Sequence, residues 1–283
     1  MSDANDHVKA WIGREETIRD SLGLTPARLL AATLDDRQAR FETGDAVPVC
    51  WQWLYFLPAA PQGEIGPDGH PKRGGFLPPV ELPQRMFAGA EITVHAPLRF
   101  GLPAERRGII RDVTPKTGKS GPLVFVTVDY EFHQDGRHCL TERQSIVYKD
   151  AGRPQAAGGE AGATPSFGAS WSRRINPDPV LLFRFSALTF NSHRIHYDRP
   201  YATEVEHYPD LVVHGPLIAV CLADLLRVEA GRPLSFFKFR AEAPLFVTAP
   251  FEVVGRAAGE AGAELKAVGP GGVTAMSASA IFA

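Results

Sequence analysis

The segment from residue 191 to residue 199 concentrates side chains that exchange protons or bind anions. It contains two histidines, two arginines, an amide and a carboxylate: Asn191, His193, Arg194, His196, Asp198 and Arg199. Histidine changes its charge near neutral pH, which suits general acid–base catalysis. The segment lies between an apolar stretch and a strong helical pattern, and such junctions often hold functional sites. We therefore expect acid–base chemistry here, with helix capping by the same polar residues as the alternative.

The same segment offers side chains that bind metals. His193, His196 and Asp198 are suitable ligand types, but their spacing is not H-E-x-x-H and no further ligand set is evident. The three cysteines are far apart in the sequence and show no C-x-x-C spacing. We therefore expect neither a metal centre nor a disulfide framework.

A second local feature is Gly215, which lies between His214 and Pro216 at the start of the strongest helical pattern. Glycine costs about 0.5–1 kcal/mol relative to alanine inside a helix, so its presence needs a reason. The first N–H groups of a helix have no intrahelical partner, and the helix dipole favours negative charge beside them. The Gly215 N–H therefore suits a developing enolate oxygen, and close packing of the helix on a sheet is the alternative explanation.

Apolar spacing along the chain predicts the elements that position these residues. Three- and four-residue spacing predicts helices over 8–22 and 211–228, and Thr25-Pro26 indicates the cap and first residue of another helix. Aromatic, apolar or alternating runs predict strands over 50–57, 90–96, 107–115, 123–133, 138–148, 180–190, 234–246, 251–258, 264–268 and 273–282. Gln134-Asp135-Gly136 indicates a hairpin turn. Helix followed by antiparallel strands occurs twice, which predicts an α+β fold made of two similar units, each a helix wrapped by a curved sheet.

Composition predicts where the two units meet. The chain has 283 residues, of which 44% are hydrophobic and 22% charged, as in ordinary globular proteins. Thirteen of the twenty residues from 151 to 170 are Ala, Gly or Pro, which predicts a flexible linker between a unit at 1–150 and a unit at 171–283. A long surface loop within one domain is the alternative.

Charge and hydropathy exclude several classes of partner. The net charge of −2 gives no support for nucleic-acid binding, which usually needs a clearly basic domain. The longest uncharged apolar stretch, 211–223, is too short to span a bilayer, and the polar start lacks the apolar region of a secretory signal. We expect a cytoplasmic protein with no membrane partner.

The sequence of residues 185–219, FSALTFNSHRIHYDRPYATEVEHYPDLVVHGPLIA, resembles the hydratase/dehydratase signature of the MaoC-like hot-dog family. The string T-F-N-x-H-x-I-H-Y-D at 189–198 is typical of the branch that contains mesaconyl-C4-CoA hydratase, itaconyl-CoA hydratase and mitochondrial 3-hydroxyacyl-thioester dehydratase. WQWLYFLP, DGHPKRGGFLPPVELPQRMFAGA and KTGKSGPLVFVTVDYEF resemble the N-terminal half of these chains. The resemblance implies a double hot-dog fold, with catalysis in the C-terminal half and space for substrate in the N-terminal half.

The resemblance also implies roles for individual residues. His196 falls on the family's water-activating histidine, and Gly215 on the glycine whose N–H holds the thioester oxygen. Asn191 falls where the wider family has a catalytic aspartate; because an amide cannot accept a proton, we expect it to orient the water. His193 and Asp198 are the candidates for holding the His196 tautomer.

The reaction implied is reversible hydration of an α,β-unsaturated acyl-CoA, with the thioester as substrate and no cofactor. A C5 dicarboxylic acyl group such as mesaconyl needs an arginine for its free carboxylate, and CoA phosphates need further cations. The candidates are Arg85, Arg194, Arg199, Lys72 and Arg73. Itaconyl-CoA hydratase, a general 3-hydroxyacyl-thioester dehydratase, a thioesterase and a non-catalytic acyl-CoA-binding protein are the alternatives. Beyond the acyl-CoA substrate, a homodimer is the expected assembly.

Overall fold

The computed structural model describes residues 6–118, 121–150 and 167–283. Their strands form a ten-stranded antiparallel sheet in the order β1-β3-β4-β5-β2-β7-β10-β9-β8-β6. The strands are β1 Glu15–Asp20, β2 Gln84–Val94, β3 Ala104–Gly118, β4 Gly121–Gln134, β5 Arg137–Lys149, β6 Trp171–Ile175, β7 Leu234–Ala241, β8 Phe251–Ala258, β9 Gly262–Val268 and β10 Thr274–Phe282. The antiparallel ladder explains why each strand alternates between buried and exposed residues along much of its length.

The helices of the described residues are α1 Asp6–Lys9, α2 Leu24–Thr33, α3 Pro179–Leu188 and α4 Gly215–Glu229. Short 3-10 turns lie at Trp51–Leu54, Gln62–Glu64, Arg194–His196 and Pro270–Gly272, and a π-helical turn lies at Tyr201–Val205. Within these residues no helix is both long and apolar enough to span a bilayer.

The same order of elements occurs in both halves. Each half has a short strand followed by a ten-residue helix, which are β1 and α2 in the N-terminal half and β6 and α3 in the C-terminal half. A second helical segment and four further strands follow in each half. The second helical segment is the long α4 in the C-terminal half but only the 3-10 turn Trp51–Leu54 in the N-terminal half. The α+β architecture of two similar, unequal units is thus confirmed, while residues 151–166 of the expected linker lie outside the described residues.

The two halves join through one continuous strand pair, β2 with β7. Ile92 faces Phe237 across this pair, and both side chains are fully buried. On the solvent side the Lys238 Nζ lies 2.7 Å from a carboxylate oxygen of Glu91. Burial of aromatic and aliphatic side chains at this junction stabilises the two halves as one sheet.

Helix α4 is the core of the C-terminal half because nearly all of its middle residues are apolar and buried. The exception is Asp224, whose side chain is fully buried and accepts hydrogen bonds from Arg173 Nη1 at 3.1 Å and Arg227 Nε at 2.6 Å. Arg227 also pairs with Asp36, just beyond the end of α2 in the other half. This network connects α4 to β6 and to the N-terminal half.

Several elements differ from the sequence prediction. The expected helix over 8–22 is only the short α1 followed by β1, because Gly13 turns the chain with φ +83° and residues 15–20 pair with β3. The expected strand over 50–57 is a 3-10 turn, because Cys50 and Phe56 take positive φ angles (73° and 54°) that a strand does not allow.

Two further differences concern the helices α3 and α2. The expected strand over 180–190 is α3, whose first turn is capped by Asp178: its carboxylate accepts the Leu181 N–H at 2.7 Å. Helix α2 was expected at Thr25-Pro26 and is present, but its cap is Gly23 rather than Thr25. The other strands are confirmed, as is the hairpin, where Asp135 and Gly136 both have positive φ (51° and 73°) as a type I′ turn requires.

Replacement of Asp224 tests the buried ion network. We expect Asp224→Asn to lower the free energy of unfolding by about 3 kcal/mol, because it leaves two arginines without their buried counter-charge. The matched control is Glu264→Gln, which removes a half-exposed pair with Arg256 and should cost under about 1 kcal/mol. Urea unfolding of both variants measures the difference, and equal losses would contradict the assignment.

Candidate active site

His196 is held as a neutral base by its backbone surroundings. It ends the 3-10 turn Arg194–His196 and is buried, and its Nδ1 lies 2.7 Å from the carbonyl oxygen of Val212. The Val212 N–H in turn donates to the carbonyl of Ile195 at 3.0 Å. Burial, together with the imidazoles of His214 and His193, lowers the pKa of His196 well below its usual range. A neutral ring whose Nδ1–H donates to a carbonyl keeps a lone pair on Nε2, which is the form a general base needs.

His214 places His196 at the amino end of α4. The two imidazole rings stack with centroids 3.6 Å apart and planes 19° apart. His214 is the cap residue of α4, is fully buried, and its Nε2 lies 2.8 Å from Ser186 Oγ. Burial and the neighbouring His193 lower the pKa of His214 to about 3, so this ring too is neutral.

Gly215 directly follows His214 and is the first residue of α4. Within the described part of the chain, no acceptor bonds its amide N–H. A Cβ at this position would come no closer than 3.8 Å to the Phe87 carbonyl oxygen, which is an ordinary contact. Packing therefore does not require glycine here, which favours the explanation that the position is kept open for a ligand.

Asn191 and His193 form a turn that leads into His196. The Asn191 side-chain oxygen accepts the backbone N–H of His193 at 3.0 Å, so the amide nitrogen is the group left to act as a donor. The buried His193 ring contacts the His196 ring edge-on, with centroids 5.5 Å apart, and its Nε2 lies 3.8 Å from Glu206. His193 thus adjoins His196 without bonding its Nδ1.

Asp198 does not orient His196. Its carboxylate accepts hydrogen bonds from Arg194 at 2.7 and 2.9 Å and from the Tyr201 N–H at 3.2 Å. The partner of His196 Nδ1 is the Val212 carbonyl instead, which corrects the expectation that His193 or Asp198 would hold the tautomer. A backbone acceptor of this kind leaves no side-chain signature in the sequence.

Most of the predicted substrate cations are occupied by other groups. Arg194 pairs with Asp198, Arg199 with Asp210, Lys72 with the Gly63 carbonyl, and Arg73 with the carbonyls of Val80, Leu82 and Pro83. Arg85 differs, because in the described residues it pairs with no carboxylate and it lies beside the Tyr148 hydroxyl. It also lines the same cleft as Asn191.

This cleft has a volume of about 220 Å³ and lies between the two halves of the chain. Residues from the 58–71 segment form one wall, residues 189–192 form the other, and Arg85 from β2 adjoins both. The N-terminal half therefore supplies one wall of this cleft. Of the three candidate catalytic residues Asn191 lines it, whereas His196 and Gly215 are not among its lining residues.

The 58–71 segment contributes an acid–imidazole pair that was not among the site residues predicted from the sequence. Asp68 accepts a hydrogen bond from His70 Nδ1 at 3.0 Å, and the His70 ring lies 4.1 Å from the His193 ring. The backbone N–H of Arg194 donates to the Asp68 carbonyl at 2.9 Å, which fixes the loop to residues 191–198, the candidate catalytic segment. The D-G-H-P string at residues 68–71 was the available signal, since it places an acid and a histidine in a Gly/Pro-rich loop.

Among the described residues, one group of three or more potential metal ligands has its ligand atoms within 4.8 Å of one another. This group is Asp68, His70 and His193. Burial and the Arg85 guanidinium lower the pKa of His70 to about 3. Burial is the largest single effect on Asp68 and raises its pKa, but the hydrogen bonds from the His70 side chain and backbone and the nearby imidazoles of His70 and His193 together lower the pKa overall. Asp68 and His70 thus already satisfy each other as an anion and a neutral donor, and the sequence expectation of no metal stays a prediction.

Comparison with known proteins gives this geometry a context. Residues 50–247 match the family model described as hydroxyacyl-thioester dehydratase type 2. The chain is 52% identical over 270 residues to mesaconyl-C(4)-CoA hydratase of Chloroflexus aurantiacus, covering 95% of this chain and 96% of that one. It is 26% identical over 268 residues to the mitochondrial hydroxyacyl-thioester dehydratase type 2 of Schizosaccharomyces pombe, covering 83% and 88%. A solved MaoC-like dehydratase structure matches with a TM-score of 0.70 at 15% identity, covering 98% of this chain and all of that one. The double hot-dog fold is thereby confirmed.

Substitution of Gly69 tests whether the 58–71 segment must dock on the catalytic segment. Gly69 has φ +90°, and a Cβ there would lie 1.8 Å from the Ser192 carbonyl oxygen. We expect Gly69→Ala to displace the loop and to lower kcat/KM at least about tenfold, since small misplacements of positioning groups are costly. Gly63→Ala in the same segment is the control, because its Cβ would meet nothing within 4 Å. Comparable activity of the two variants would show that docking is unimportant.

Proposed function

Because this chain belongs to the hydroxyacyl-thioester dehydratase type 2 family, we propose that it is a hydro-lyase that adds water reversibly to an α,β-unsaturated acyl-CoA, with mesaconyl-C4-CoA as its substrate. The observation that supports this most directly is the neutral His196 ring stacked on the residue that precedes Gly215. This arrangement brings a base and a helix-start N–H to one place, and hydration of a conjugated thioester needs both.

The reaction follows from these two groups. The water oxygen attacks C3 of the acyl chain as its proton passes to His196 Nε2, and the electron pair of the double bond moves toward the thioester oxygen. The Gly215 N–H stabilises that oxygen, and a donor in this role is typically worth about 2.7–4 kcal/mol. His196 then delivers the proton to C2, which regenerates the neutral ring. Every atom added to the double bond comes from one water molecule.

Asn191 has a supporting role in this scheme. Its oxygen accepts the His193 N–H, and its amide nitrogen is assigned the role of donor to the water oxygen. An amide does not accept a proton, so His196 is the group assigned to proton transfer in this segment.

Arg85 supports a dicarboxylic substrate. The mesaconyl group bears a free carboxylate, and burial of that charge requires a cationic partner, best a bidentate one. Arg85 lines the cleft without a carboxylate of its own among the described residues, whereas the other four predicted cations are engaged. The 52% identity to a mesaconyl-C(4)-CoA hydratase points to the same substrate. A homodimeric assembly and a cytoplasmic location stay predictions from the sequence.

A substrate panel tests the proposed reaction and its alternatives. Mesaconyl-C4-CoA, itaconyl-CoA, crotonyl-CoA and longer enoyl-CoAs are compared by kcat/KM from the loss of enoyl-thioester absorbance. We expect mesaconyl-C4-CoA to give the highest value. Release of free thiol would instead indicate a thioesterase, and binding without turnover an acyl-CoA-binding protein.

Removal of the proposed base tests its assignment. We expect His196→Ala to lower kcat by about 10²–10⁴-fold, because it removes the proton-transfer group while leaving the Arg85 contact in place. The control is His95→Ala, an exposed histidine on the N-terminal half of the sheet. Near wild-type turnover of His196→Ala in a folded protein would contradict the assignment.

Substitution of Arg85 tests the substrate class. We expect Arg85→Gln to lower kcat/KM for mesaconyl-C4-CoA about tenfold to a hundredfold, because the substitution removes one hydrogen bond between charged groups. Crotonyl-CoA has no second carboxylate, so its kcat/KM should change little. Arg199→Gln, which removes an exposed pair with Asp210, is the control. An equal loss for both substrates would assign Arg85 to CoA rather than to the acyl carboxylate.

A further inference from the structure

His70 is the one residue with an imidazole side chain among those that line the described cleft. The other lining side chains are apolar, amide, hydroxyl or guanidinium groups. His70 comes from the N-terminal half, which the sequence analysis expected only to accommodate substrate. A titratable ring on the cleft wall, opposite the 189–192 wall, needs an explanation in chemical terms.

The position of the His70 ring is fixed by Asp68. One carboxylate oxygen of Asp68 lies 3.0 Å from His70 Nδ1, and the other accepts the His70 backbone N–H, also at 3.0 Å. The Asp68 carbonyl accepts the Arg194 N–H at 2.9 Å, and Ser192 Oγ donates to the Gly69 carbonyl. Asp68 and His70 are therefore held against the catalytic segment by main-chain bonds on both sides.

The hydrogen-bond pattern leaves a single free atom on the ring. Because Nδ1–H donates to an ionised carboxylate, the neutral imidazole has its lone pair on Nε2. The His70 side chain is largely buried and adjoins the Arg85 guanidinium, and both effects favour the neutral form. His70 Nε2 is thus a free acceptor on a residue that lines the cleft with Asn191, and the His193 ring contacts both the His70 ring and the His196 ring.

Resting on the proposed function, we propose that Nε2 of His70 accepts the second hydrogen of the attacking water, so that the Asp68–His70 pair of the N-terminal half is part of the catalytic machinery. One water hydrogen passes to His196 and on to C2. The other stays on oxygen, donates to His70 throughout, and becomes the hydroxyl hydrogen of the product. The C3–O bond and the C2–H bond form, one O–H bond and the double bond break, and nothing is oxidised or reduced.

This assignment explains how an amide at position 191 is tolerated. A water that attacks carbon must have its hydrogens directed away from that carbon, which requires two acceptors. His196 supplies one. The Asn191 oxygen already accepts one hydrogen bond, from the His193 N–H, whereas Nε2 of His70 has no partner among the described residues and supplies the other. Asp68 fixes the tautomer of His70 as the Val212 carbonyl fixes that of His196.

A divalent cation on Asp68, His70 and His193 is the competing explanation for the same cluster. The nearby Arg85 guanidinium repels a cation, which disfavours this explanation. The experiment separates the two, because a metal-dependent enzyme loses activity after exhaustive treatment with EDTA and a water held by His70 does not need a metal.

Three variants test the proposal with mesaconyl-C4-CoA. We expect His70→Phe, which keeps a ring but no acceptor, to lower kcat about a hundredfold with KM changed less than about threefold. His70→Gln retains an acceptor oxygen and should recover at least about tenfold of that loss. Asp68→Asn should lower kcat by about tenfold or more, because the carboxylate no longer fixes the tautomer. His95→Phe is the matched control at an exposed position and should match the wild type.

The outcomes are distinguishable. A His70→Phe enzyme within threefold of wild-type kcat, a raised KM with unchanged kcat, a His70→Gln enzyme no better than His70→Phe, or loss of wild-type activity with EDTA would overturn the role of His70. If His70→Phe fails to fold, His70→Gln and Asp68→Asn decide by the same kcat criterion. A wild-type enzyme that hydrates no enoyl-CoA would instead overturn the proposed function itself.

Discussion

Two imidazole rings stacked 3.6 Å apart in a buried position cannot both carry a positive charge. A second positive charge at this distance, without water to screen it, would be strongly unfavourable. The surroundings of His196 and His214 meet this requirement: one ring bonds a backbone carbonyl, the other a serine hydroxyl, and neither bonds a carboxylate. Because His214 is the cap residue of α4, the stack also fixes the His196 ring beside the first turn of that helix. The same contact therefore disfavours charge on the rings and positions the proposed base.

Two sets of contacts keep this arrangement in place. In the first, Asp224 of α4 pairs with Arg173 of β6 and with Arg227, which in turn pairs with Asp36 of the N-terminal half. In the second, the 58–71 segment accepts a hydrogen bond from the backbone of the 3-10 turn Arg194–His196. The candidate site thus has contacts from both units, although the proposed base His196 and the Gly215 N–H come from the second alone. The unequal lengths of the corresponding helical segments explain why only one unit presents a long helix end to a ligand.

The local part of the site could be predicted from the sequence, and the contacts between distant segments could not. Asn191, His193 and His196 lie within six residues, so their spacing and the glycine that opens α4 indicated a base beside a helix start. The Val212 carbonyl leaves no mark in the residue types, and the meeting of His70 with His193 joins positions more than a hundred residues apart. Alternating strands such as β4 and β5 were predictable from period-two patterns. The apolar run 180–190 was predicted as a strand, because a short apolar run has no periodicity that separates strand from helix, and it is instead a helix capped by Asp178.

The ends of the ten-stranded sheet have a consequence for association. The outermost strands, β1 and β6, are short and carry exposed charged side chains: Glu15, Arg19 and Arg174. Short, charged edges discourage another chain from adding a strand by backbone hydrogen bonding, which protects a large open sheet against edge-to-edge aggregation. Because β2 and β7 already pair within one polypeptide, their edges are not available to another chain. Copies of this chain would therefore associate through the sheet faces and loops rather than by pairing strands between chains.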